Sequence, residues 1–267
     1  MTEIRNPLVD PAPKEIPLPR APLARVIAQV RFPVVASVAR QDFIGPFQEA
    51  IRAEYPVLRP EKGRAILAGL GGVITSEERT VWRFTEVEEG WRASLAPDFV
   101  AIETTKYTSR NDLLSRLDRL LQATQAHIGP KVIDRLGLRY IDRLDASALA
   151  EIPRLVRPEI VGVIGLNWGS GAEHSICESA FDLPDGSGRL QSKWGVLPSD
   201  KTIDPSAIEP LGERTWILDL DLFSERRRPF EAAPAAAQAR TFAERIYTMF
   251  RWAVTPEFIR RYGGTPE

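Results

Sequence analysis

The chain has 267 residues, enough for one large domain or two small ones with a sizeable core. Its 35 Lys and Arg residues nearly balance its 36 Asp and Glu residues, and the formal net charge of -1 gives no field that favours nucleic acid or an anionic membrane. No apolar run approaches the roughly 20 residues of a membrane helix, and charged residues interrupt the N-terminus where a signal peptide would be apolar. We therefore expect a cytoplasmic protein that binds neither nucleic acid nor membrane.

Residues 1–22 contain six prolines, each of which fixes φ and removes a backbone donor. The sequence predicts an extended arm here, either a loose tail or a strap over the domain or over a neighbouring subunit. Residues 23–32 alternate, with one fully apolar face, and Pro33 follows them. This pattern predicts the first strand.

Helical spacing of apolar residues predicts helices over 42–54, 110–128 and 233–254. The second is the clearest, because leucines form its apolar stripe and Ser109 is a candidate N-cap. Short alternating or apolar runs bounded by turn residues predict further strands at 65–74, 80–86, 91–95, 99–105, 159–168, 174–183, 189–197 and 214–223.

Strands followed by a long helix occur twice along the chain. We therefore expect an α+β fold of two curved antiparallel β-sheets, each packed against a long helix, as a pseudo-duplicated single architecture. The expected organisation is a proline-rich arm at 1–22, a first α+β half at 23–145 and a second α+β half at 146–264.

The stretch 131–144 carries the densest regular charge pattern in the sequence. A helix and a strand both place Arg135, Arg139 and Arg143 on one side, so the arginines do not decide between them. The apolar Leu136 and Leu138 are spaced by two, which scatters them around a helix but aligns them on a strand. The stretch is therefore predicted to be a strand.

Two roles remain open for Arg135, Arg139 and Arg143. The stripe could face an anionic partner as a binding site, or it could be a solvated or ion-paired face with Asp134 and Asp142 beside the arginines. Exposed ion pairs are common and contribute only about 0–1 kcal/mol each, so the pattern alone does not establish a site.

Candidate metal ligands are few. His127, His174 and Cys177 are too few and too scattered for a zinc site, and no metal or other cofactor is predicted. Cys177 is the single cysteine, so no disulfide forms within the chain, and we expect it to be a small buried strand residue. Asp219 and Asp221 are the best paired carboxylates, because they share a strand face and could hold Mg²⁺.

Catalytic motifs are missing from the sequence. No Gly-x-Ser-x-Gly elbow accompanies the histidines, and no phosphate-binding Gly-x-x-x-x-Gly-Lys loop occurs. One alternative is a metal-dependent phosphoryl-transfer enzyme that uses Asp219 and Asp221. Another is a carrier of an apolar ligand in a pocket lined by Trp82, Trp91, Trp194 and Trp216.

Three stretches carry a resemblance to a known family. They are the opening strand from Pro22-Leu23 to Arg31-Phe32-Pro33, the motif Arg135-Leu-Gly-Leu-Arg-Tyr-Ile-Asp-Arg143, and the closing Phe250-x-x-x-Val-Thr255. Together they resemble a sporadically distributed bacterial family of uncharacterised proteins of about this length. The resemblance implies a mobile-element or phage-defence locus, and it implies no catalytic residues.

The leading hypothesis is a non-enzymatic binding or accessory protein that acts through a protein partner or through self-association. The absence of a complete catalytic constellation and the balanced charge favour it. A proline-rich arm and antiparallel sheets suit partner docking, including docking by strand addition.

Overall fold

The computed structural model describes residues 4–67 and 75–266, and this part of the chain contains eleven strands. The strands are β1 (Leu23–Arg31), β2 (Val57–Leu67), β3 (Thr75–Thr85), β4 (Trp91–Ala96), β5 (Phe99–Thr104), β6 (Val132–Ile133), β7 (Arg135–Leu144), β8 (Ser175–Asp182), β9 (Arg189–Leu197), β10 (Thr215–Ser224) and β11 (Arg228–Pro229). Nine of them form one large sheet in the order β2-β3-β4-β5-β1-β7-β10-β9-β8, and β11 pairs with β6 in a small second sheet. The described registers are antiparallel.

Seven α-helices complete the α+β fold within the described residues. They are α1 (Gln41–Ile51), α2 (Arg110–His127), α3 (Ala146–Leu149), α4 (Ile152–Leu155), α5 (Pro158–Val161), α6 (Ala232–Ala253) and α7 (Pro256–Arg261). The three long helices match the three predicted ones in place. The Ser109 hydroxyl accepts a hydrogen bond from the Asp112 N–H at 3.1 Å, which confirms the predicted cap of α2.

Two predictions about the strands need correction. The sequence predicted two curved antiparallel sheets, each packed against a long helix, whereas nine strands of the described chain join in one sheet and the second sheet has only two short strands. Periodicity tells which residues share a face and not which strands pair. Residues 159–168, predicted as a strand, instead begin as helix α5 and continue as a 3₁₀ turn. Pro158 occupies the first helical turn, and Gly162 ends it with φ of 58°. Of the predicted strand at 65–74, residues 68–74 lie outside the described residues.

The chain divides into two compact units that do not follow chain order. Unit 1 comprises Met1–Val26, Leu138–Ser224 and Arg240–Glu267, and unit 2 comprises Ile27–Gly137 and Glu225–Ala239. Each unit combines segments that are distant in the chain. The division into 1–22, 23–145 and 146–264 stays a prediction.

In unit 2, helix α2 buries its predicted stripe, whose members are Leu113, Leu114, Leu117, Leu120, Leu121, Thr124 and Ile128. It packs against α1 and β5. Phe47 of α1 lies edge-on to Phe84 of β3, with ring centroids 5.6 Å apart. Side chains of this kind bury large apolar areas and dominate the stability of a core.

In unit 1, the proline-rich arm lies against the C-terminal helices as a strap. The Arg245 guanidinium donates to the carbonyl oxygens of Pro7 and Asp10, both at 2.8 Å. The Ile16 N–H donates to the Tyr247 hydroxyl at 2.7 Å, and the Ile16 side chain is buried. The sequence allowed residues 1–22 to be either a loose tail or a strap. These contacts show that the described part of the arm is a strap.

Candidate functional site

Two segments of unit 2 meet where β1 ends and β7 begins. Pro33 follows β1 and has no N–H to continue the ladder. The Asp134 N–H donates to the Arg31 carbonyl at 2.8 Å, and the Phe32 N–H donates to the Asp98 carbonyl at 2.9 Å. These bonds bring the Arg31-Phe32-Pro33 stretch and the start of the Arg135 motif together.

Side chains around this junction line an open groove of about 380 Å³, called here the Arg31–Arg135 groove. Phe32 is buried and lies edge-on to Phe230, with ring centroids 6.1 Å apart. Val34, by contrast, is 71% exposed and forms an apolar lip. The lining residues are Arg31, Phe32, Pro33, Val34, Asp98, Asp134, Arg135 and Glu225.

The groove carries charges of both signs. An Arg31 Nη2–Asp98 Oδ2 pair at 3.3 Å and an Arg227 Nε–Asp134 Oδ1 pair at 2.8 Å connect acids at its wall to arginines. The arginine of each pair is more than half exposed, so each pair contributes at most about 1 kcal/mol to stability. Glu225 is exposed at the rim.

The Arg135 guanidinium lies against Gly137, which faces the same side of β7. A Cβ atom added to Gly137 would stand 2.5 Å from Arg135 Nη1, closer than any real contact, so the side chain would have to move. The glycine therefore leaves the space in which Arg135 lies beside the groove.

Arg139, in unit 1, joins two candidate sites that the sequence kept apart. Its Nε and Nη2 donate to the two carboxylate oxygens of Asp219, each at 2.8 Å, in the bidentate geometry that guanidinium and carboxylate favour. Its Nη1 donates to Asp204 Oδ2 at 2.6 Å. Asp219 is buried on β10, and Asp204 comes from the loop before that strand.

Hydrogen bonds and charges within this cluster shift the pKa values of Arg139 and Asp204. Burial lowers the pKa of Arg139, but the hydrogen bonds and charges of Asp219 and Asp204 outweigh burial and hold the pKa above its ordinary value. Burial raises the pKa of Asp204, whereas the Ser206 and Arg139 hydrogen bonds bring it below its ordinary value. The cluster is therefore an ion-pair group whose three members are joined by hydrogen bonds.

Arg143 has a different environment from Arg139. Its Nε and Nη2 are buried, and neither donates a hydrogen bond to any atom of the described residues. Burial lowers the pKa of this guanidinium. Its backbone N–H donates to the Pro22 carbonyl at 2.8 Å, which ties the end of β7 to the start of β1.

Asp142 is the titratable residue that sequence reasoning placed wrongly, beside the arginines. It shares the apolar face of β7 with Leu138 and Leu144, and it is only 5% exposed. Burial raises the pKa of Asp142 to about 7. Burial also raises the pKa of Tyr262, and the charges of Asp145 and Asp142 add to that effect. Counting by two from Leu138 would have identified it.

The remaining candidate ligands lie apart. His174 precedes β8 and is exposed, and His127 is in the last turn of α2. Cys177 is exposed on β8, so its predicted burial is wrong: the strand lies at the edge of the sheet. Asp221 shares the Asp219 face of β10, as predicted. In residues 4–67 and 75–266, no group of three or more His, Cys, Asp or Glu side chains is arranged to hold a metal ion.

The tryptophans named for an apolar pocket are mainly core residues. Trp82, Trp91 and Trp216 are buried, whereas Trp194 is only half-buried. The Trp82 indole N–H donates to the Val38 carbonyl at 2.7 Å, and the Arg116 guanidinium lies 4.5 Å from the Trp91 ring centroid. Among the described helices, none has the length and apolar character needed to cross a membrane.

Comparison with known proteins adds no relative: the chain matches no protein-family model, and no curated protein matches it.

Proposed function

We propose that this chain is a non-enzymatic binding or accessory protein that acts through protein–protein contacts, and that the Arg31–Arg135 groove receives a segment of the partner. The observation that carries this proposal is the combination of an exposed apolar lip, Val34, with arginine and carboxylate side chains around one open groove. Interfaces commonly combine an apolar centre with a charged rim, and arginine is enriched in them.

The charge pattern indicates the kind of partner segment. Arg31 and Arg135 offer donors to an acidic side chain, while Asp134 and Glu225 offer acceptors to a basic one. A segment with an apolar residue flanked by both signs of charge would complement this wall. Rim charges of this kind contribute to partner choice and association rate more than to affinity.

The Arg139–Asp219 contact supports a binding role over phosphoryl transfer. A Mg²⁺ ion at Asp219 and Asp221 would have to compete with the guanidinium of Arg139, which is hydrogen-bonded to both carboxylate oxygens of Asp219. The burial of Trp82, Trp91 and Trp216 fits core packing better than a ligand-lined cavity. Neither alternative gains a supporting contact from the described residues.

Two further expectations stay predictions. From the resemblance we expect the gene to lie in a mobile-element or phage-defence locus, and the identity of the neighbouring genes tests that expectation. The predicted internal duplication is supported by chain order, because β2–β5 precede α2 and β8–β10 precede α6, whereas the sheet curvature stays a prediction.

The test of the groove is a matched pair of substitutions. Val34→Asp places a charge on the apolar lip, and Val87→Asp makes the same change at another exposed position of unit 2. Affinity purification of tagged protein from the native host should recover a partner with wild type and Val87→Asp, and at least tenfold less of it with Val34→Asp. Equal recovery by both variants, or no protein above the untagged background, contradicts the proposal.

A further inference from the structure

Strand β8 forms one edge of the large sheet. It pairs with β9 from Ser175↔Val196 to Asp182↔Arg189, and no other strand among the described residues lies beside it. Its side chains are half-buried or exposed on both faces. Natural sheets usually protect such an edge with lysine, proline, a bulge or a covering loop, and β8 contains neither lysine nor proline.

The backbone groups that point outward from β8 can be identified. The Leu183 N–H donates to the Gly188 carbonyl at 2.8 Å, so the odd-numbered residues of this hairpin direct their N–H and C=O groups at β9. The even-numbered residues therefore direct theirs away from the sheet. They are Ile176, Glu178, Ala180 and Asp182.

The two faces of β8 differ in charge. On one face Lys193 Nζ lies 3.2 Å from Glu178 Oε1, and Arg189 Nε lies 2.8 Å from Asp182 Oδ1. The other face is uncharged and carries Ser175, Cys177, Ser179 and Phe181, with Trp194 of β9 opposite Cys177. Each acid of β8 thus has a basic partner on β9 but stays exposed and charged, and the uncharged face of the strand is also exposed.

We propose that the β8 edge pairs with the β8 edge of a second copy of this chain, antiparallel about a two-fold axis at Ser179. In this register Ser179 faces Ser179 of the other copy, Cys177 faces Phe181, and residues 176–182 of both copies take part. The outward groups of Ile176, Glu178, Ala180 and Asp182 then bond to one another across the axis. A closed two-fold interface of this kind uses the same surface on both copies.

Charge favours this register over the two registers in which the two-fold axis is shifted by one residue. Shifting the axis to Glu178 places Glu178 opposite itself, and shifting it to Ala180 places Glu178 opposite Asp182 of the other copy. Like charges directly opposite each other destabilise a strand pair. With the axis at Ser179, Glu178 faces Ala180 and Asp182 faces Ile176, and the uncharged faces of both copies lie on the same side of the joined sheet.

A cysteine cross-link tests the register. In the variant Cys177→Ser/Ser179→Cys, the two new cysteines occupy a non-hydrogen-bonded pair, where Cα atoms are about 4.5 Å apart and within reach of a disulfide. Oxidation should convert most of the protein to a covalent dimer. Wild type should not cross-link, because Cys177 is four residues, or about 13 Å, from Cys177 of the other copy.

A proline substitution tests the edge itself. Ala180→Pro removes an outward N–H and leaves the bonds to β9 in place, whereas Ala180→Thr keeps the N–H and suits a strand. Wild type and Ala180→Thr should be dimers by light scattering, and Ala180→Pro a folded monomer by the same measurement and circular dichroism. A monomeric wild type overturns the proposal, as does a dimer that Ala180→Pro leaves intact or that Ser179→Cys fails to cross-link. The interface lies in unit 1, so these results are independent of the Arg31–Arg135 groove.

Discussion

Arg139 and Asp142 lie three residues apart on β7, and opposite faces of the strand give them opposite surroundings. Arg139 is held by Asp219 and Asp204 through three hydrogen bonds. Asp142 is buried on the apolar face, where burial raises its pKa. The first is a satisfied ion-pair cluster and the second a single buried carboxyl, so their removal has opposite effects on stability.

Replacing Arg139 with methionine should lower the free energy of unfolding by about 3 kcal/mol, because Asp219 stays buried as an unpaired carboxylate. The double variant Arg139→Met/Asp219→Leu should recover more than half of that loss, since it leaves no buried charge. Urea unfolding of both variants measures the two effects.

Arg154→Met is the matched control for Arg139→Met. The Arg154 side chain is 71% exposed, and its Nη1 lies 3.9 Å from Glu151, so this change should alter the free energy of unfolding by no more than about 0.5 kcal/mol. If Arg139→Met costs as little as Arg154→Met, the cluster does not stabilise the fold.

Asp142 should make stability depend on pH. Its folded-state pKa of about 7 lies above the unfolded value of about 3.9. Between these values the folded state binds more protons than the unfolded state, so the free energy of unfolding falls as pH rises from about 4 to about 7. The contribution of Asp142 to the free energy of unfolding is fully present below about pH 4 and is lost above about pH 7.

Asp142→Asn should remove this dependence, because asparagine keeps the size of the side chain without its ionisation. From pH 5 to pH 8 the free energy of unfolding of the variant should rise by about 2–3 kcal/mol relative to that of wild type. Thermal and urea unfolding at both pH values provide the measurement. A constant difference between the two proteins from pH 5 to pH 8 would show that Asp142 does not titrate in this range.

At the scale of elements, the arm of residues 4–22 depends on its contacts with α6 rather than on a conformation of its own. Prolines keep it extended, and its carbonyl groups accept hydrogen bonds from helix side chains, including Arg245 and Tyr247. The buried Ile16 adds an apolar anchor. Ordering the backbone of such a long segment costs conformational entropy. The strap should therefore detach when one of its anchoring contacts is removed.

Arg245→Ala should release the arm without unfolding the protein. It removes the hydrogen bonds to the Pro7 and Asp10 carbonyls, and trypsin should then cleave after Lys14 several-fold faster than in wild type. Arg52→Ala, at the exposed end of α1, is the control and should leave the cleavage rate unchanged. An unchanged rate in Arg245→Ala would mean that the strap does not depend on this anchor.

At the scale of the whole molecule, one nine-stranded sheet and two discontinuous units describe the chain. Unit 2 needs residues 225–239 to complete the pairing of β11 with β6 and the contact of Phe230 with Phe32. Unit 1 combines the arm with the C-terminal helices that it contacts. Chain segments far apart in sequence therefore complete each unit.

The sequence by itself determined the local elements. Spacing by two identified β7, and helical spacing identified α2 with its cap, because each pattern reports which side chains share a face. It also supplied part of both charged sites, since Arg135, Arg139 and Asp219 were identified from their patterns. It did not identify Asp204 in the Arg139 cluster or Asp98 and Glu225 in the groove, because none of these lies in a recognisable local pattern.

Tertiary structure alone decided how these pieces combine. Arg139 meets a carboxylate 80 residues away, and Arg135 reaches the groove beside the end of β1. Strand order in the sheet and the exposure of Cys177 depend in the same way on segments distant in the chain. A local pattern fixes which face a residue occupies, whereas the neighbour on that face is chosen by long-range packing.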